Sequence, residues 1–467
     1  MSSLIKNEII KIFKKKSIYV MLIVTFAFTI LTNVIYKYIY NMNGDYFSEG
    51  YIEVLEEQQK SLNPDNPEEV SIYINNKTDL DTYNLAKQYD KDSWQYEIIL
   101  NYGRNYISDL NYTTYQDKNS DRIAEAQEKY DEFLKRINEG NWRTFAEEEL
   151  NNMKKNIALS EEDFTTKVQL ETLQMRLDYN IEYGNNYKNA ALSRYSSNKM
   201  QVVDYEQNTE NRKYREQKSY QEAKEDMEKA LYVIKNDKDI LNNSNLRGTL
   251  LDMFSEYELF IIITVVLIAG AIVSEEFNKG TIKLLLVKPY RRTKILFAKF
   301  IVVMLTIIFI MLAIGIMQFI VGGIFFGFDS LSIPAVEYNH NTGSIVEMNL
   351  VQGMLLNALG RLPIYILIGT LAFAISAIFT NTAVAITISI LGYMASQIIN
   401  QLAFSFDIAW LKYFITPNWE LSQFFYGRLP NMQGTSLLFA ITLCIGYFLI
   451  MIIPAFMTFK KKNIKNI

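Results

Sequence analysis

The chain has 467 residues with 49% hydrophobic and 21% charged side chains, a formal net charge of −4 and a single cysteine, Cys444. An acidic balance argues against nucleic acid as a partner, and one cysteine excludes a disulfide framework. These averages would suit a soluble protein, so the class is decided by how the residues are distributed.

The leader carries Lys6, Lys11, Lys14, Lys15 and Lys16 ahead of an apolar run from Ser17 to Tyr38. That run, about twenty residues, exceeds the core of a secretory signal, and no small-x-small site follows it. It reads as a retained membrane anchor. Ile5, Ile9, Ile12 and Phe13 fall along one helical face of Leu4 to Phe13. This suits an amphipathic helix lying in the membrane interface, with an ordinary charged leader as the alternative.

Residues 41–256 hold 42 acidic and 27 basic side chains, a net of 27 − 42 = −15, which leaves +11 for the remainder of a chain whose total is −4. That split predicts an acidic extracytoplasmic domain and a basic cytoplasmic face. Pro64 and Pro67 are the only prolines in this stretch. Helical spacing appears at Ile123, Tyr130, Leu134 and Ile137, at Leu150, Met153 and Ile157, at Phe164, Val168 and Met175, and at Tyr220, Met227 and Ile234. Breaks are expected at Gly140-Asn141, Gly184-Asn185-Asn186 and Ser196-Ser197-Asn198. Two or three antiparallel helices with a Tyr-rich face are expected, without the strict heptad of a coiled coil.

Apolar runs near Tyr257 to Val273, Ile295 to Phe326, Leu355 to Phe379, Thr382 to Ala403 and Ser436 to Phe459 bring the stretches able to cross a ~30 Å hydrocarbon layer to six. The tail carries Lys460, Lys461, Lys462 and Lys465. Basic residues beside the first and last spans put both termini in the cytoplasm, and six spans return the chain to that side. The link at Thr380 and Asn381 also falls there but carries no basic residue.

Between the second and third runs lies SEEFNKGTIKLLLVKPYRRTK, residues 274–294. Its basic residues hold it in the cytoplasm. Ser274 is expected to cap a helical turn carrying Glu275 and Glu276, broken at Gly280, and Thr281 to cap a second short helix from Ile282 to Val287 that stops before Pro289. The order apolar span, S-E-E-x-x-x-G-T-I-x-x-L-L-x-x-P-x-x-R, apolar span resembles the first cytoplasmic loop of ABC-2 type permeases, the membrane subunits of ATP-binding-cassette exporters. The resemblance implies a coupling helix that fits a groove on a separate ATPase subunit, with that role for Glu275, Glu276, Gly280, Thr281, Leu285, Leu286, Pro289 and Arg292. A basic loop serving only as a topology signal is the alternative.

The rest of the chain offers little other chemistry. No G-x-x-x-x-G-K-[ST] occurs, so ATP is expected on a partner subunit and no cofactor on this chain. One histidine, His340, in the external loop from Gly327 to Gln352, cannot furnish a zinc site with one membrane-buried cysteine, so no metal or catalytic residue is expected. His340 is expected to be a solvated loop residue. Lys37, Glu258, Lys299 and Arg361 are expected near span ends, where they reach water, which argues against a proton-coupled carrier. Thr264, Thr387, Ser389, Ser396 and Asn400 are candidate pathway linings, with interhelical hydrogen bonding as the alternative. Residues 406–433 combine Trp410, Pro417, Trp419 and Phe424 with charged neighbours. This aromatic segment resembles the external re-entrant hairpin of ABC-2 permeases, with an aromatic belt anchoring a loop as the alternative.

The chain therefore reads as an all-α membrane protein with six transmembrane helices and a large, mostly helical extracytoplasmic domain between the first and second. Its parts are residues 1–40, 41–256 and 257–467. The resemblance implies an exporter permease that moves an amphipathic peptide, antibiotic or lipid-like cargo. Its expected partners are cytoplasmic ATPase subunits, a second permease, either the same chain or a paralogue, and membrane lipid. A receptor or scaffold with a ligand-binding ectodomain is the alternative from another class. The abundance of Asn, Lys, Ile and Tyr suits a low-GC bacterium.

Overall fold

The computed structural model of the chain describes residues 1–39, 49–157, 164–207, 213–282, 290–406 and 408–462. Two compact units emerge, one of Met1–Asn41, Arg212–Gln221 and Asn242–Ile467, the other of Met42–Asn211 and Glu222–Leu241.

The first unit contains six helices long and apolar enough to cross a membrane: Lys16–Tyr38, Glu258–Asn278, Arg292–Phe326, Leu350–Phe379, Thr382–Phe406 and Leu437–Lys461. They are the first to sixth spans below. Capping sets several ends. The fourth begins at Leu350 because Asn349 accepts from the Gln352 amide at 2.8 Å while the Gln352 side chain accepts from the Asn349 amide. Ser436 caps the sixth by accepting from the amide of Phe439.

The second and fourth spans form the centre. Of their most apolar stretches 67% is buried, against 22% in the first and fifth and 11% in the sixth, whose apolar side chains face outward as a lipid-facing helix requires. Ile261, Val265, Ile268 and Ile272 of the second span pack in one core with Ile364, Ile368 and Phe373 of the fourth. Gly369 permits the close approach, since a Cβ there would sit 2.9 Å from Val265 Cγ1. A polar seam joins the first three spans. Asn33 and Gln318 exchange side-chain hydrogen bonds at 3.1 Å in both directions, and the Tyr257 hydroxyl donates to Gln318 Oε1 at 2.9 Å.

One departure from an all-α reading lies between the third and fourth spans. Strands β1, Ala335–Asn339, and β2, Ser344–Met348, pair antiparallel with Val336 opposite Glu347. His340 sits at their turn, half-buried, its amide donating to Tyr426 O at 2.8 Å and its ring edge-on to Tyr338. It is therefore packed rather than freely solvated. The aromatic segment after the fifth span forms two 3-10 turns, Ala409–Tyr413 and Leu421–Gly427, and packs against β1 and the fourth and sixth spans. Pro417 and Trp419 are buried, Phe424 is half-buried and Trp410 is exposed.

The second unit is helical, with more and shorter helices than the two or three expected. Described in full within it are Glu49–Ser61, Val70–Ala86, Trp94–Ile98, Arg104–Tyr112, Ser120–Asn138, Arg143–Ile157, Phe164–Asp178 and Tyr187–Gln207. Phe133, Ile137, Ile98, Ile99 and Ala146 form a core with almost no exposure. Chain breaks do fall at Gly140 and Gly184, both at positive φ. The break expected at Ser196-Ser197-Asn198 is absent. There the Ser197 and Asn198 side chains donate back to Arg194 O within the helix Tyr187–Gln207.

Leu246–Glu256, expected in the outer domain, belongs to the first unit and packs on the third and fourth spans.

Candidate functional site

Ser274 does not start a helix. It is fully buried inside the second span, its hydroxyl donating to Gly270 O at 2.7 Å, its amide donating to Ser376 Oγ at 3.0 Å and its oxygen 2.6 Å from Thr382 Oγ1. In an apolar helix, back-bonding to the i−4 carbonyl satisfies the hydroxyl and removes any need for a cap. The helix thus runs on through Glu275 and Glu276 to Asn278. It stops at Gly280, whose φ of +68° favours glycine although a Cβ would meet nothing within 4 Å. Thr281 then turns its hydroxyl back onto the Glu276 carboxylate. Ile282 is fully buried. Leu285, Leu286 and Pro289, with the rest of the expected second helix, lie outside the described residues.

The two glutamates are held from two sides. The N-terminal helix Ser2–Phe13 buries Leu4, Glu8 and Ile12, spaced by four, and so carries one carboxylate inward. Lys299 of the third span, 1% exposed, donates to Glu8 Oε2 at 2.7 Å, Ile272 O at 3.0 Å and Glu276 Oε1 at 3.3 Å. Lys11 donates to Glu276 at 2.8 Å and Glu8 at 3.1 Å, and Lys15 pairs with Glu275 at 2.8 Å. Burial alone would lower the Lys11 pKa, but hydrogen bonding to Glu276 and the charge of Glu8 hold it above its usual value. These residues surround a cavity of about 500 Å³ that Lys14, Lys279 and Ile272 also line.

Lys299 was expected near water and is instead enclosed, because two carboxylates replace its hydration shell. Neither Glu8 nor Lys299 stood out as a site residue. The available signal was singularity: Glu8 is the only acid before residue 17, and Lys299 the only charge from Ile295 to Phe326.

Arg292 opens the third span and donates to Lys462 O at 2.8 Å and Lys460 O at 3.4 Å, while Lys462 donates to Ile378 O at 2.8 Å. Each cation thus meets carbonyls at the C-terminus of another span. The N-terminal helix, residues 275–282, the Thr380-Asn381 link and the C-terminal end of the sixth span are therefore all at one end of the bundle.

Glu258 begins the second span, about 27 Å of helix from Glu276 at 1.5 Å per residue. It binds Arg361, which also holds Glu420 at 2.8 Å, and accepts from the Tyr393 hydroxyl at 2.7 Å. Expected near water, Glu258 and Arg361 are largely enclosed by one another. Lys37 does sit at a span end, donating to Phe325 O.

The candidate pathway residues do not share one surface. Thr264, Ser389 and Ser396 are buried, Asn400 is half-buried and Thr387 is exposed. Thr264 donates to Phe260 O and Ser396 to Tyr393 O within their own helices.

A family model described as "Protein of unknown function (DUF2705)" matches residues 224–465. Two curated relatives come from Bacillus subtilis (strain 168). "Uncharacterized protein YhcI" is 32% identical over 202 residues, 43% of this chain and 64% of that protein. "Uncharacterized membrane protein YdbK" is 27% identical over 200 residues, 43% of this chain and 76% of that protein. The match thus spans less than two thirds of the first relative. No solved structure matches the chain.

Proposed function

We propose that this chain, which belongs to the DUF2705 family, is the membrane permease subunit of an ATP-driven exporter whose ATPase is a separate cytoplasmic chain. The observation that supports this reading is the anchoring of residues 275–282, the first part of the 275–292 elbow. Its acidic pair, on the last turns of the second span, is tied by Lys11 to the N-terminal helix, by Lys15 to the start of the first span and by Lys299 to the third span. A force applied there is transmitted to three elements together. Lys6, Lys14, Lys16 and Lys294 at the same end favour the cytoplasm for it, which leaves the helical unit outside.

ATP-driven closure of the ATPase pair pushes on the elbow, tilts the second and third spans, and opens a cavity toward the outside between this permease and a second one. The contacts made by the elbow must differ between the two states for ATP to shift them. The cargo is amphipathic, in keeping with the apolar walls of the spans, and the membrane is that of a bacterial cell.

The test is copurification from native membranes with a candidate cassette ATPase, followed by ATP turnover in vesicles. Gly280→Ala strains the φ of +68° while its Cβ meets no atom within 4 Å. It is expected to lower stimulated turnover several-fold while the permease still folds. Unchanged assembly and turnover sink the coupling assignment. Purification without any ATPase favours the receptor or scaffold alternative.

A further inference from the structure

The cavity beneath the N-terminal helix has an unbalanced charge. Five lysines line it, Lys11, Lys14, Lys15, Lys279 and Lys299, against three glutamates, so 5 − 3 leaves +2. The glutamates are already engaged. Glu8 and Glu276 are held by Lys299 and Lys11, and Glu275 by Lys15 and, at 3.6 Å, by Lys279. Lys14 forms no ion pair among the described residues. A cavity of about 500 Å³ with surplus positive charge suits a compact anion bearing several acceptor oxygens.

The surroundings select the source of that anion. Lys14 and Lys15 lie at the junction of the N-terminal helix and the first span. Immediately beyond them the first span exposes Tyr19, Val20 and Ile23, at 54%, 55% and 66%. A lipid lying against that apolar surface carries its headgroup level with the lysines. Cationic pockets beside membrane-spanning helices attract anionic headgroups, each lysine that reaches the bound headgroup contributing about a five-fold gain in affinity. The geometry points to this cavity as a binding site for the phosphate of an anionic lipid headgroup. The inference is independent of the permease reading, because no ATPase or cargo enters it.

The test uses the full chain purified into discs of phosphatidylcholine with a fixed fraction of phosphatidylglycerol, with retained lipid counted by native mass spectrometry. Wild type is expected to retain phosphatidylglycerol preferentially. Lys14→Gln, which breaks no ion pair of the cluster, reduces that preference roughly five-fold, and Lys14→Gln with Lys279→Gln reduces it further. Lys294→Gln, an exposed lysine outside the cavity, is the control and leaves it unchanged. Equal loss in the control, or no loss in the cavity variants, overturns the proposal. A parallel arm titrates inorganic phosphate into discs of phosphatidylcholine alone. Tight phosphate binding that Lys14→Gln abolishes, without any lipid preference, overturns the lipid assignment in favour of a soluble anion.

Discussion

The Lys299 ammonium lies 2.7 Å from Glu8 Oε2, joining the third span to the N-terminal helix across 291 positions of sequence. Lys299 is 1% exposed and its carboxylate partner nearly as enclosed, so the pair's value depends on neither member being left alone.

Removing one partner leaves a buried charge, which costs ~3–5 kcal/mol where the partner is fully lost. Lys299→Met is therefore expected to destabilise strongly, because Glu8 and Glu276 are left to share Lys11. Adding Glu8→Gln should recover part of that loss. Thermal unfolding in detergent, compared across the two single variants and the double, measures the coupling. Strictly additive losses would show that the pair does not act as a unit.

Lys11 gives a pH signature. Folding raises its pKa above 10.5, so its contribution is fully present below that pH and is lost as pH climbs through the folded value. The difference in melting temperature between wild type and Lys11→Met should stay flat from about pH 6 to about pH 10, then shrink. A difference that already falls near neutral pH would assign the contribution to another group.

The central packing can be probed by two glycines. Gly369→Ala places a Cβ 2.9 Å from Val265 Cγ1, whereas Gly392→Ala meets only Leu371 Cδ2 at 3.7 Å. The first is expected to cost ~1–3 kcal/mol as an overpacked contact and the second to be near neutral or slightly stabilising. Melting curves of the two variants side by side decide it. Equal effects would mean that the second and fourth spans readily shift apart.

The six spans were legible because twenty-residue apolar runs have no other stable home. Gly280 was legible because a positive φ leaves a residue-type signature. Ser274 misled, because a serine that caps and a serine that back-bonds inside an apolar helix look alike without the tertiary partners Ser376 and Thr382. The hairpin had a signal, alternation through Val336 and Tyr338 followed by an Asn-Thr-Gly turn, masked by the expectation of an uninterrupted helical protein. The Glu8–Lys299 pair was hidden for a different reason. Periodicity reports which face of a helix is apolar, not which distant charge will meet it.

The reciprocal amide pair of Asn33 and Gln318 spans 285 positions. Translation at ~5–20 residues per second separates the emergence of these two side chains by on the order of half a minute. During that interval the Asn33 amide keeps only its bond to the Thr29 carbonyl of its own helix. The seam between the first and third spans thus closes only when Gln318 arrives, long after the first span has been made.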